Sequence, residues 1–269
     1  MDIEVLGQFS IREHGKSMVP SAGKPRQVLA LLALRAGRIV PVPTLMEEVW
    51  GQHIPRSAAT TLQTYILQLR RKITATLPAS AQRSAKEVLV TSFGGYQLAV
   101  RPDSCDLAEF ERLAALGNAE LDGGDPRVAS GQLGRALALW RGPALVDVPV
   151  GRVLETEVLG MEETRMQVLE KRIEADLLLG RHQLLLGELR MLVAQHPMNE
   201  NLCSLLMTAL YRSGSPWRAL DAFRSLRRTL IDELGVEPSA RLQRLHQAVL
   251  AGDPALEARE PAEPVRLAS

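Results

Sequence analysis

The residues of this chain best suited to recognition chemistry lie in the run Arg56-Ser-Ala-Ala-Thr-Thr-Leu-Gln-Thr-Tyr-Ile-Leu-Gln-Leu-Arg-Arg-Lys-Ile73. At about 100° per residue, Leu62, Ile66, Leu69 and Ile73 fall in one narrow apolar stripe, as expected of a helix packed on a core. Opposite the stripe stand Thr60, Thr64, Leu67 and Arg71, with Ser57, Thr61 and Gln68 beside them. Short hydroxyl and amide side chains can reach base edges in a DNA groove, or touch a thymine methyl. Arg70, Arg71 and Lys72, at the far end, suit phosphates. The same pattern also fits an ordinary surface helix with a basic last turn, which the helix dipole favours. Only the surrounding sequence can separate the two readings.

Charge separates them in part. The chain of 269 residues carries a net charge of only +1. Cut near Pro102, it resolves into a first part with 13 Lys/Arg against 6 Asp/Glu and a remainder with 19 against 25. A balance of +7 beside one of −6 suggests a polyanion-binding module joined to a protein-facing one. With 46% apolar residues the chain can bury one large core or two ordinary ones.

Other chemistries find no footing. Two cysteines, Cys105 and Cys203, are too few and too far apart for a disulfide framework or a zinc site, and read as reduced, packed thiols. There is no Gly-x-Ser-x-Gly, His-Glu-x-x-His, Cys-x-x-Cys or Walker-A run, and the five histidines are scattered. No enzyme, metal or cofactor is therefore expected. The start, Met-Asp-Ile-Glu, lacks a signal-peptide pattern, and no apolar run approaches the ~18 residues of a membrane span. The expected location is cytoplasmic, away from membranes.

The elements that must hold the 56–73 helix can be read around it. Ile3 to Arg12 is extended, and a turn at His14-Gly15-Lys16 lets Ser17 to Pro20 return as a second strand. Pro25 suits a first helical turn, and Arg26 to Arg35 follows as a helix ended by Gly37. Arg38 to Val40 is a short strand, and a second helix spans about Pro43 to Trp50, closed by Gly51. Within it, Leu45 and Trp50 are expected in the core. Residues 78–87 are polar and rich in breakers, so a flexible connection is expected there. Val88 to Val90 and Tyr96 to Val100 form a hairpin around Ser92-Phe-Gly-Gly95, whose glycines supply the positive φ of a tight turn. Strands, three helices and a terminal hairpin follow the order of a winged helix, with the third helix aimed at a major groove.

The later part is helical throughout. Periodicity marks helices over Leu107–Leu121, Pro126–Trp140, Val153–Leu179, His182–Gln195, Asn199–Arg212, Trp217–Glu233 and Ser239–Leu250. Gly180 and Gly214 are 34 residues apart, the length of a tetratricopeptide repeat, and at that period Leu189 falls on Phe223. Stacked helix pairs of this kind can build a protein-binding surface; a plain helical bundle that dimerises or buttresses the first part is the alternative. From Asp253 the chain is rich in proline and charge and is expected to be disordered.

At Ser21-Ala-Gly-Lys-Pro-Arg-Gln27, Leu45-x-x-Glu-Val-Trp-Gly51, Pro55-Arg-Ser-Ala58, Thr64-Tyr65, Leu69-Arg-Arg-Lys72 and Gly94-Gly-Tyr-x-Leu98 the chain resembles the SARP family. These are antibiotic-pathway activators of filamentous actinomycetes, and the resemblance runs from residue 1 to about 252. It implies a mainly α (α+β) fold: an OmpR-type winged-helix DNA-binding domain over 1–102 and an all-α, tetratricopeptide-like bacterial transcriptional activation domain over 103–252, with a tail over 253–269. It further implies that the helix 57–73 is the recognition helix, with Thr60, Thr61, Thr64 and Gln68 closest to the bases and Ser57 at the DNA beside them. Arg56, Tyr65, Arg70, Arg71 and Lys72 would steady the backbone, joined by Lys24 and Arg26 at the start of the first helix. The wing, Phe93 to Tyr96, would approach the adjacent minor groove; its tip carries no Arg or Lys, which leaves the amides of Gly94 and Gly95. The loop Gln52-His53-Ile54-Pro55 corresponds to the segment such activators present to RNA polymerase. No receiver domain precedes the winged helix, so control by phosphorelay through this chain is not expected.

The resulting expectation is a transcription activator that binds direct repeats in double-stranded promoter DNA as a homodimer and recruits RNA polymerase holoenzyme, including its sigma factor. A repressor, or a regulator gated by an effector or partner on the helical part, remains the alternative.

Overall fold

The computed structural model describes residues 1–78, 83–101 and 104–257. Part of the expected connection (79–82), residues 102–103 and most of the expected disordered tail (258–269) lie outside the described residues. By contact, the chain divides into two compact units, one made of Met1–Ala114 with Arg135–Met166, the other of Ala115–Gly134 with the residues from Gln167 onward.

The first unit opens with an antiparallel sheet of β1 (Asp2–Glu4), β2 (Ser10–Glu13) and β3 (Lys16–Ser17), in that order, with Ile3 opposite Ile11. The single extended segment expected over Ile3–Arg12 is thus a hairpin instead. Gly7 takes φ +143°, a value open to glycine, and the loop's donors have partners other than a strand. The amides of Val5 and Leu6 donate to the Asp106 carboxylate at 2.9 and 3.3 Å, and that of Phe9 to Asp147 at 2.7 Å. Satisfied in this way, the buried loop has no need of a ladder. The expected return strand to Pro20 is shortened to two residues.

Next come α1 (Gly23–Leu34), β4 (Val40–Pro41), α2 (Val42–Trp50), α3 (Ala58–Thr76), α4 (Ala85–Val88), β5 (Leu89–Ser92) and β6 (Gly95–Leu98). The three long helices pack on one another. Leu29, Leu31, Leu32, Leu45, Leu62, Ile66 and Leu69 are all essentially fully buried between them and the sheets. Each such side chain contributes about 1.5–3 kcal/mol of hydrophobic free energy. β5 and β6 form the expected hairpin, and β4 adds to β6, giving the order β4-β6-β5. Where residues 78–87 were expected to be flexible, 83–88 are ordered. Ser84 and Glu87 make a reciprocal capping box that starts α4, and Arg83 donates to the carbonyls of Glu87 and Ala99.

The rest of this unit comes from the starts of α5 (Asp106–Asp122) and α7 (Arg152–Leu178) and the end of α6 (Pro126–Ala138). Phe110 is fully buried and meets Trp140 edge to face at 5.6 Å between centroids. Polar ties are numerous. Asp106 also accepts from Arg141, Asp147 from Arg26, and Glu157 from Arg35. Glu48, 2% exposed, accepts from the amides of Gly151 at 2.6 Å and Leu154 at 2.8 Å, at the N-terminus of α7. Residues 135–166 are therefore built into the compact unit that carries α3, and the contact division does not follow a cut at residue 102.

In the second unit α8 (His182–Gln195), α9 (Glu200–Arg212), α10 (Pro216–Leu234) and α11 (Ala240–Ala251) follow the later turns of α7, within a residue or so of the expected bounds. α8 packs on α9 and α9 on α10. The two glycines of the 34-residue period occupy equivalent turns, Gly180 with φ +74° and Gly214 with φ +72°. The tail begins more ordered than expected: Pro254–Leu256 is a 3₁₀ turn capped by Asp253, and Arg212 donates to the Leu256 carbonyl at 2.9 Å. Among the described residues no helix is long and apolar enough to cross a membrane.

Candidate nucleic-acid interface

Helix α3 buries Ala58, Leu62, Ile66, Leu69, Ile73 and Thr76, which extends the apolar stripe read from the sequence by one residue at each end. The opposite face is open: Thr60, Thr64, Gln68, Arg71 and Lys72 are exposed, and Leu67 among them is 50% exposed. Two of the hydroxyls expected near the bases are turned inward along the backbone. Thr64 Oγ1 donates to the Thr60 carbonyl at 3.1 Å, and Thr61 Oγ1, half-buried, donates to the Ser57 carbonyl at 3.0 Å. Their hydrogens are used, so what they offer outward is lone pairs and a methyl group. Such a face can accept from adenine N6 or cytosine N4, or pack a thymine methyl. Arg56 and Ser57 are exposed at its start, and the Ser57 side chain makes no capping bond.

The cations expected at the phosphates divide into two sets. Arg71 and Lys72 are exposed, and with Gln68 they border a shallow depression that also includes Lys16 of β3. Lys16 was legible only as a turn residue; a basic side chain in a hairpin beside the third helix was the available signal. Arg70 and Arg26, by contrast, are occupied within the fold. The Arg70 guanidinium donates to the Leu89 carbonyl at 2.8 and 3.1 Å and to Thr91 Oγ1 at 2.8 Å, tying α3 to the first wing strand. Arg26 donates to the Pro20 carbonyl and to both the carbonyl and carboxylate of Asp147. Neither is free for a phosphate without giving up these bonds.

Aromatic placement also departs from expectation. Trp50 is half-buried rather than core; its ring stacks on Tyr65 at 6.2 Å between centroids, 14° from parallel. Lys24 lies over the Trp50 ring at 5.5 Å, which sets this exposed ammonium at the edge of the α2–α3 face. Tyr65, half-buried, therefore packs along that edge. The loop expected to face polymerase, Gln52, His53, Ile54 and Pro55, is exposed along its whole length, with Ile54 49% exposed.

The wing turns through Phe93 and Gly94, the latter with φ +76°. Gly95 is buried in the sheet, where a Cβ would meet the Val40 carbonyl oxygen at 2.4 Å. It is a close-approach glycine, while Gly94 alone of the pair faces solvent. The Gly94 carbonyl accepts from the Val42 amide at 2.9 Å. Elsewhere, burial pushes both the Cys105 and Cys203 thiols up to about 12, as befits inert packed groups. Among the described residues no cluster of three metal-binding side chains occurs.

Comparison with known proteins agrees with this architecture. Residues 16–98 match the model of the family described as "Transcriptional regulatory protein, C terminal", and residues 105–250 that of the "Bacterial transcriptional activator domain". The regulatory protein DnrI of Streptomyces peucetius is 53% identical over 98% of this chain and 97% of its own length. The transcriptional regulator RedD of Streptomyces coelicolor is 38% identical over 98% of this chain and 76% of its own. Among solved structures, Mycobacterium tuberculosis EmbR, determined with a low-affinity phosphopeptide, superimposes with a TM-score of 0.86 at 30% identity, covering 94% of this chain and 65% of that one.

Proposed function

This chain belongs to the SARP family of antibiotic-pathway transcriptional regulators, with an OmpR-type DNA-binding domain and a bacterial transcriptional activator domain, and we propose that it is a promoter-bound activator. Family members are regulators and not enzymes. Two copies occupy adjacent direct repeats about one helical turn apart, each with α3 in the major groove. Thr60, Thr64 and Gln68 read bases, and Arg71, Lys72, Lys16, Lys24 and Arg56 hold phosphates. The exposed Gln52–Pro55 loop and the helical part contact RNA polymerase holoenzyme and its sigma factor, and occupancy rises tenfold for each ~1.4 kcal/mol of such contact.

One observation carries this reading: α3 leaves Thr60, Thr64, Gln68, Arg71 and Lys72 exposed along a single face while burying every residue of the opposite stripe. A footprint on a candidate promoter, with and without holoenzyme at fixed salt, tests it. Protection of tandem repeats that strengthens with polymerase is expected. Protection that competes with polymerase would make the protein a repressor, and absence of sequence-specific protection would refute the assignment.

A second reading, effector gating, is favoured by one feature of the second unit. Arg190, Pro197, Trp217 and Arg218 border a groove of about 570 Å³ lined by α8, α9 and α10, with Trp217 64% exposed. That volume lies within the range of small-molecule sites. A repeat footprint that changes with an added effector, in the absence of polymerase, would support it.

A further inference from the structure

Phe93 is the most exposed of the described large apolar side chains, at 106% of its reference area. The turn itself gives no reason for an aromatic there. Gly94 takes the positive φ, and Phe93 stays at negative φ, where any residue fits. The ring also covers no core.

Yet the tip that carries it is held firmly. Arg70 of α3 grips β5 through the Leu89 carbonyl and Thr91 Oγ1. The first residue of α2 donates its amide to the Gly94 carbonyl, and Gly95 lies directly against the Val40 carbonyl. An aromatic ring is thus presented on a hairpin whose position is fixed relative to the recognition face. The turn Ser92-Phe93-Gly94-Gly95 brings no cation with it. Whatever the wing contributes at a groove must come from contact and stacking, not from charge.

We propose that Phe93 enters the minor groove beside the α3 site as an apolar wedge and partly unstacks one base step. Pyrimidine–purine steps open with least resistance, so the wedge adds a preference for such a step at a position that α3 does not touch. The proposal rests on the DNA-binding reading above. It adds a term that does not depend on salt, since inserting a neutral ring releases no counterions.

The test uses the full chain with promoter fragments carrying one repeat or two, and 2-aminopurine placed in turn at each adenine flanking the α3 site. The wild type should raise the 2-aminopurine emission at one step next to the repeat. Phe93→Ala should abolish that rise and weaken binding to a single repeat about tenfold, the scale of one lost stacking contact, with an unchanged salt slope. Phe93→Leu should retain part of both. Because the ring is fully exposed, these variants should fold as the wild type does, which circular dichroism checks. Wild-type affinity of Phe93→Ala for one repeat would overturn the wedge, and so would a loss confined to the two-repeat fragment, which would place the ring against a neighbouring protomer. Arg71→Ala separates this from failure of the parent reading: if it weakens binding and Phe93→Ala does not, only the wedge falls; if neither does, the α3 assignment falls as well.

Discussion

Replacing Glu48 by alanine should destabilise the unit that carries α3 about as much as truncating a core leucine does, although no hydrophobic contact of note is lost. The carboxylate is 2% exposed. Its Oε1 accepts from Gln27 Nε2 at 2.7 Å and from the Gly151 amide at 2.6 Å, and Oε2 accepts from the Leu154 amide at 2.8 Å. Gln27 keeps a second acceptor in the Glu48 carbonyl, so its amide is not stranded. The two backbone donors have no such reserve. They belong to the residue before α7 and to the third residue inside it, where a helix has no acceptors of its own. Glu48 caps α7 from another helix.

Each stranded donor costs about 1–3 kcal/mol. Loss of a carboxylate from a partly buried helix N-terminus adds up to about 2 kcal/mol. Relief of the desolvation of the charge offsets part of that sum. A net loss of about 2–5 kcal/mol follows, a large share of the ~5–15 kcal/mol available to a domain. Glu48→Gln keeps the size and one acceptor but points an NH₂ at an amide, so about 1–3 kcal/mol is expected. Urea unfolding of the full chain, followed by far-ultraviolet circular dichroism together with hydrogen exchange at Leu154, measures both. If Glu48→Ala shifts stability by less than about 0.5 kcal/mol while the Leu154 amide stays protected, another group caps the helix and the reasoning fails. The folded fraction should bind DNA as the wild type does, because Glu48 lies off the exposed face of α3.

Other expectations concern the interface and the thiols. Thr64→Ala should relax preference at one base by about 1–3 kcal/mol, read by competition among single-base operator variants; unchanged affinity and preference would mean that the reading face is misplaced. Arg71→Ala should weaken all sequences alike and reduce the salt slope by roughly one unit. Arg70→Ala should lower stability by about 1–3 kcal/mol and weaken binding with the salt slope intact, because its bonds run to the wing; a slope reduced by a unit would make it a phosphate contact instead. Cys105 and Cys203 should resist a thiol reagent at pH 8 until the chain unfolds. Their folded values of about 12 lie above those of exposed thiols, so only the unfolded chain ionises first as pH rises; stability should fall from about pH 9 upward, seen as a declining urea midpoint.

What the sequence made legible was whatever repeats. The apolar stripe of α3, the helices of the second unit and the 34-residue period all recur at a fixed spacing, and the Gly94-Gly95 pair marks a turn by a local rule. Position on the same helical wheel also held information left unused. Arg70 lies four residues after Ile66, at the margin of the buried stripe, whereas Arg71 lies opposite it. Adjacent, identical charges thus have different fates, one bound to β5 and one free toward solvent. Arg26 offered no such cue, because its partner Asp147 stands 121 residues further on.

That last case is general for this chain. Glu48 with Gly151 and Leu154, Asp106 with Val5 and Leu6, and Arg35 with Glu157 are single polar pairs separated by about a hundred residues or more. No period betrays them, and each alone resembles an ordinary charged surface residue. Together they fasten 135–166 into the unit that displays α3. A winged helix cut at residue 102 would expose Glu48 without its two amides and would leave Arg26 and Arg35 without their acids. The exposed face of α3 is therefore local in sequence but dependent for its support on a distant segment, and on the proposed function a fragment ending at residue 102 should bind DNA more weakly than the full chain even if α3 forms. Titrating one repeat with both, at matched salt, checks this; equal affinity and equal urea midpoints would show the distant segment to be dispensable.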